Sequence, residues 1–105
     1  LQNRAGKFVM PNLKSGVAAL NNIRLDSNLA GEDANPAGAD SYPIATLTWV
    51  LAYKSGNGAK VPRIRQAISF LLSPKAQGKA DDLGYVPLRG SVLNSAKKAV
   101  GNIGS

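Results

Sequence analysis

"GADSYPIATLTWVLAYKSGNG", Gly38 to Gly58, carries most of the large apolar residues in the middle of the chain. Ile44 to Tyr53 within it is rich in β-branched and aromatic residues, with Pro43 before it and a Gly-Asn-Gly loop after it, the punctuation of a strand. A period of two puts Ile44, Thr46, Thr48, Val50 and Ala52 on one face and Ala45, Leu47, Trp49, Leu51 and Tyr53 on the other. Both faces are largely apolar, which predicts a central strand covered on both sides. A strand of this kind requires neighbours.

Toward the N-terminus, "LQNRAGKFVMP" predicts two short extended pieces about an Arg4-Ala5-Gly6 turn, with Phe8 and Met10 on one face. From Asn12 the period changes. Leu13, Val17, Leu20 and Ile23 recur at helical steps with Asn12 placed to cap them, although Gly16 weakens the helix by roughly 1 kcal/mol relative to Ala. Arg24 to Asp40, with Pro, Gly, Asn and Asp and no period, predicts a long loop.

Toward the C-terminus, Pro62 suits the first turn of a second helix with an Ile64, Ala67, Ile68, Leu71 stripe that ends near Leu72. Ser73-Pro74 caps and opens a third, running through Ala76, Ala80 and Leu83 to a stop at Gly84. "YVPL" is a short extended connector. A fourth helix follows Gly90 or Ser91 with Val92, Ala96, Ala99, Val100 and Ile103, and "GNIGS" is expected to fray. Four helices against one strand and a hairpin make an α/β chain with too little sheet for its helices.

At 105 residues and 44% hydrophobic, the composition fits one domain with one modest core. Cysteine and histidine are both absent, which removes disulfides, thiolate metal sites, the Cys nucleophile and the usual general base. No apolar run approaches the roughly 20 residues that cross a bilayer. The chain starts on Leu1, inside its first extended piece, and a processed product or a fragment is expected.

Thirteen Lys and Arg against six Asp and Glu give +7, which favours anionic partners: phosphate, nucleic acid or anionic lipid. The cations are scattered rather than run together, as a solvated basic surface would have them.

No stretch has the spacing of a phosphate-cradling loop; "SGNG" lacks the Lys-Ser/Thr continuation. Asp81 and Asp82 are adjacent on a helix and point apart, unlike a catalytic pair. Glu32, Asp33 and Asp40 lack the alternating spacing of a calcium loop. Ser73 and Ser91 near helix starts suit an anion in principle, but capping accounts for them. Trp49 and the tyrosines are candidates for stacking on bases or sugars, yet Trp49 and Tyr53 fall where a buried strand needs bulk.

Taken in order, "AGKFVMPNLKSGVAAL", "PAGADSYPIATLTWVLAYK" and "KAQGKADDLGYVPLRGSVLNSAKKAV" resemble the C-terminal third of the periplasmic phosphate-binding proteins (the PstS family), the substrate-binding subunits of the phosphate ABC importer. The most specific parts are "DSYPIATLT", Asp40 to Thr48, and "LGYVPL", Leu83 to Leu88, and the wording is similar to forms from marine cyanobacteria. The resemblance implies a partial lobe of a type II periplasmic-binding-protein fold, α/β with helices packed on a small mixed sheet. Residues 1–105 would form a single segment, the C-terminal part of a two-lobed protein that closes on phosphate in its cleft. The strand with two apolar faces would then pair with strands from the N-terminal portion.

Family members hold phosphate through helix-start N–H groups, Ser and Thr hydroxyls, an Arg and an Asp. No stretch here matches those motifs, so no ligand role passes to Arg63, Arg89, Ser41 or any other position. The expectation is a non-enzymatic periplasmic segment without catalytic residues, cofactor or metal. Its partners would be inorganic phosphate in the intact protein, the ABC permease at the membrane and, if truncated, a second copy in a homo-oligomer or swapped dimer. Nucleic acid is not expected; the alternative is a small basic nucleic-acid-binding domain, motivated by the +7 charge.

Overall fold

A computed structural model describes residues 1–105. The chain opens as a hairpin: Gln2 and Phe8 bridge antiparallel, and Asn3 N–H donates to the Lys7 carbonyl at 2.8 Å. Gly6, with φ +77°, makes the turn, as expected from the sequence.

Helix α1, Leu13–Asn22, begins in a capping box in which Asn12 Oδ1 accepts from Ser15 N–H and Ser15 Oγ accepts from Asn12 N–H. Its buried face is Ser15, Gly16, Ala19 and Leu20, smaller residues than the Leu13–Val17 stripe predicts. Gly16 is there because the chain returns close: a Cβ would meet Val86 Cγ2 at 2.7 Å. The loop from Arg24 to Asp40 holds no regular element.

Helix α2, Val61–Leu71, carries Pro62 in its first turn and follows a 3₁₀ turn at Gly58–Lys60. Helix α3, Pro74–Gln77, is one turn capped by Ser73 Oγ from Ala76 N–H. The continuation to Leu83 is a 3₁₀ turn at Asp81–Leu83, closed by Gly84 at φ +80°. Helix α4, Gly90–Gly101, packs between α1 and α2. Ala19, Leu20, Ile23, Leu72, Val92, Val100 and Ile103 form the small core where these helices meet.

The C-terminal tail does not fray. Ile103 is buried, Gly104 N–H donates to the Lys54 carbonyl, and Asn57 Nδ2 donates to the Gly104 carbonyl, both at 2.8 Å.

The expected mixed sheet is absent, and with it the α/β assignment. Ala45 to Tyr53 pairs with no other segment, and from Ala45 to Ala52 no backbone group hydrogen-bonds within the chain. The physical reason is the one the sequence raises: a ladder needs a second extended segment alongside, and the hairpin is too short and bonded to itself. What remains is a slab 51 × 28 × 16 Å, little thicker than one layer of helices.

Candidate functional site

Residues 45–53 dominate the surface chemistry. Leu51 is 93% exposed and Tyr53 81%, and Trp49 and Val50 are also exposed. Trp49 and Tyr53 are therefore not the buried core residues that the alternation predicts: Tyr53 lies open to solvent, and Trp49 is only partly covered. The polar end of Trp49 is tied, Nε1 donating to the Leu29 carbonyl at 2.8 Å.

Two hollows flank this segment. One, of about 610 Å³, lies between the start of α1, Tyr42 to Thr48 and the Gly84–Leu88 connector, with Leu13, Leu20, Ile44, Leu47, Tyr85 and Leu88 on its walls. The other, of about 410 Å³, lies over α2 and α4 against Leu25, Leu29, Trp49, Ile68, Val100 and Ile103. Leu47 and Thr48 line both, so the extended segment is the wall between them.

At the start of the segment the chain is locked by a buried polar hub. Asn3 Nδ2 faces the carbonyls of Gly38, Ala39 and Ser41 at 3.3, 2.8 and 3.1 Å, while its Oδ1 accepts from the N–H groups of Ala5 and Lys7. Ser41 is fully buried; its Oγ donates to the Ala37 carbonyl and accepts from Asn22 Nδ2. Nothing in composition or period marks Asn3, because the carbonyls it donates to lie more than thirty residues away.

The polar positions weighed in the sequence are dispersed. Arg63 stands exposed in the first turn of α2 and Arg89 exposed just before α4, while Ser41 is committed to the hub. Ser73 caps α3; Ser91 Oγ donates to Asn21 Oδ1 across to α1. Asp82 pairs with Lys79 at 3.8 Å in solvent, a contact of little energetic weight. Glu32, Asp33 and Asp40 form no metal-holding cluster. Arg65, off the apolar stripe of α2, reaches the end of α4 and donates to the Ile103 and Gly101 carbonyls. No helix is long and apolar enough to cross a membrane.

No family model matches the chain. It is 35% identical over 98 residues to the phosphate-binding protein PstS of Pasteurella multocida (strain Pm70), an alignment that covers 89% of the chain and 28% of that protein. It is 29% identical over 100 residues to the phosphate-binding protein PstS of Haemophilus influenzae (strain ATCC 51907 / DSM 11121 / KW20 / Rd), covering 92% of the chain and 30% of that protein. The chain thus spans under a third of the length of the curated relatives it matches, and over nearly all of its own length it is similar to phosphate-binding proteins of the PstS type.

Proposed function

We propose that these 105 residues are the C-terminal part of a two-lobed PstS-type protein, the periplasmic phosphate-binding component of an ABC-type phosphate importer. The observation that carries this reading is the similarity of about nine-tenths of the chain to two phosphate-binding proteins more than three times its length. The likeness of "DSYPIATLT" and "LGYVPL" to the C-terminal third of that family supports the C-terminal position, and the similarity of the wording to forms from marine cyanobacteria supports a lineage near them.

In this reading the segment builds one lobe and is not an enzyme. Phosphate is held by groups outside residues 1–105, and the exposed side of the helices is available to dock on the permease. The unpaired segment 45–52 supports it, since an apolar chain with free backbone groups is what part of a larger sheet looks like when its neighbours are missing.

The reading is tested by the coding sequence upstream of Leu1. It requires a continuous frame more than twice this chain's length, opening with an export signal and encoding Ser/Thr/Gly-rich anion loops. A start codon just before Leu1 would refute it.

A further inference from the structure

Asn57 is the asparagine of this chain that glycine follows; each of the others precedes a residue with a side chain. Glycine leaves its backbone nitrogen unshielded, and Gly58 is also exposed, with open space where a Cβ would stand. The Gly58 N–H makes no hydrogen bond, so it is free beside the Asn57 carboxamide.

That carboxamide is itself a tie. Nδ2 donates to the Tyr53 carbonyl and to the Gly104 carbonyl, both at 2.8 Å, which uses both of its hydrogens. Gly104 N–H returns to the Lys54 carbonyl at 2.8 Å, and Arg65 holds the Ile103 and Gly101 carbonyls from α2. The loop after Tyr53 and the stretch after α4 are thereby closed on each other, beside the buried Ile103.

We propose that Asn57 is a site of spontaneous deamidation gated by this closure: the docked Ile103-Gly104 stretch restrains the amide, and the aspartate that forms when the stretch lifts cannot take it back. The inference stands independently of the phosphate reading.

Water is the co-reactant, and nothing is oxidised or reduced. Gly58 N gives up its proton and attacks Asn57 Cγ; the N–Cγ bond forms, the Cγ–Nδ2 bond breaks, and Nδ2 leaves with that proton as ammonia. Water then opens the cyclic imide, its hydroxyl going to a carbonyl carbon and its proton to Gly58 N. Opening at Cγ leaves aspartate in the ordinary chain. Opening at the residue 57 backbone carbonyl leaves isoaspartate, with the chain rerouted through the side chain.

Docking slows the first step, because the carboxamide must leave Tyr53 and Gly104 before it turns to meet Gly58 N, and both hydrogen bonds are lost. The product reverses the tie. A carboxylate has no hydrogen to donate and would face two carbonyl oxygens.

The test is peptide mass mapping of the product of the full reading frame, incubated in mildly alkaline buffer both folded and in urea. Trypsin, applied afterwards at mildly acidic pH, cuts after Lys54 and Lys60 and isolates Ser55 to Lys60, in which Asn57 is the sole amide side chain. We expect this peptide to gain about 1 Da in two isomeric forms, about tenfold more slowly from the folded chain than in urea. Arg65→Ala, which loosens the stretch without altering residues 57 and 58, should raise the folded rate about fivefold. Asn57→Asp, the ordinary product, should speed hydrogen exchange at the Gly104 amide about tenfold while circular dichroism shows the helices intact. Asn57→Ser, which keeps a donor and cannot deamidate, should exchange there more slowly than Asn57→Asp. An unmodified peptide from the folded chain, a rate equal to that in urea or unmoved by Arg65→Ala, or a Gly104 amide indifferent to the substitutions at 57 overturns the proposal.

Discussion

Arg65 on α2 closes the C-terminal end of α4 by donating from Nε and Nη2 to the Ile103 carbonyl, 38 residues away in sequence, and from Nη2 to the Gly101 carbonyl. These carbonyls have no helical N–H to accept from, and the guanidinium also meets the negative end of the helix dipole. Arg65→Ala is expected to lower stability by about 1–2 kcal/mol in urea unfolding, and to expose the tail to proteolysis before the helices unfold. Arg65→Lys should recover little of the loss, because one ammonium cannot reproduce the fork.

The Asn3 hub gives a sharper substitution test. Asn3→Ala strands the Ala39 and Ser41 carbonyls and two N–H groups around a side chain that is 5% exposed, and should cost about 2–3 kcal/mol. Asn3→Asp keeps the acceptor for Ala5 and Lys7 but turns a carboxylate toward three carbonyl oxygens. It should be worse than Ala in thermal melts at neutral pH; a variant as stable as the parent would show that the hub does not hold the hairpin to residues 38–41.

Ile44 is a β-branched residue at φ +64°, a conformation that costs an L-residue about 1–2 kcal/mol. Its side chain is exposed, so little burial is lost on replacement. Ile44→Asn, which tolerates the left-handed region, should raise stability by about 1 kcal/mol, with Ile44→Val neutral. A loss of stability in Ile44→Asn would mean that residue 44 is extended in solution.

Gly16 and Val86 form a coupled pair. Alanine at 16 favours the helix by about 1 kcal/mol but drives a methyl into Val86 Cγ2, so Gly16→Ala alone should be destabilising. Adding Val86→Ala makes room, and the double variant should be more stable than the sum of the single changes predicts. Strict additivity would separate the two residues.

What was legible in the sequence was local. Asn12, Pro62, Ser73-Pro74 and Gly84 mark helix boundaries through groups one turn away, and the structure places caps or turns at each. The sheet was not recoverable from residues 44–53, because alternation declares a strand's faces and not whether a neighbour exists. Asn3, Arg65 and the pinned Ile103 were missed for the same reason: the carbonyls that Asn3 and Arg65 donate to stand 35 to 38 residues distant, and nothing local announces them. The small buried face of α1 escaped a search for large apolar residues because its partner, Val86, packs directly on backbone.

The central claim is that the chain belongs to a phosphate receptor without itself holding the ion. Calorimetric titration with phosphate, run in parallel on the 105-residue chain and on the product of its full reading frame with sulfate as control, addresses it most directly. The account predicts selective phosphate binding by the full product and only weak, salt-sensitive heat from the chain. Tight, sulfate-insensitive phosphate binding by the chain alone, or none by the full product, would contradict it.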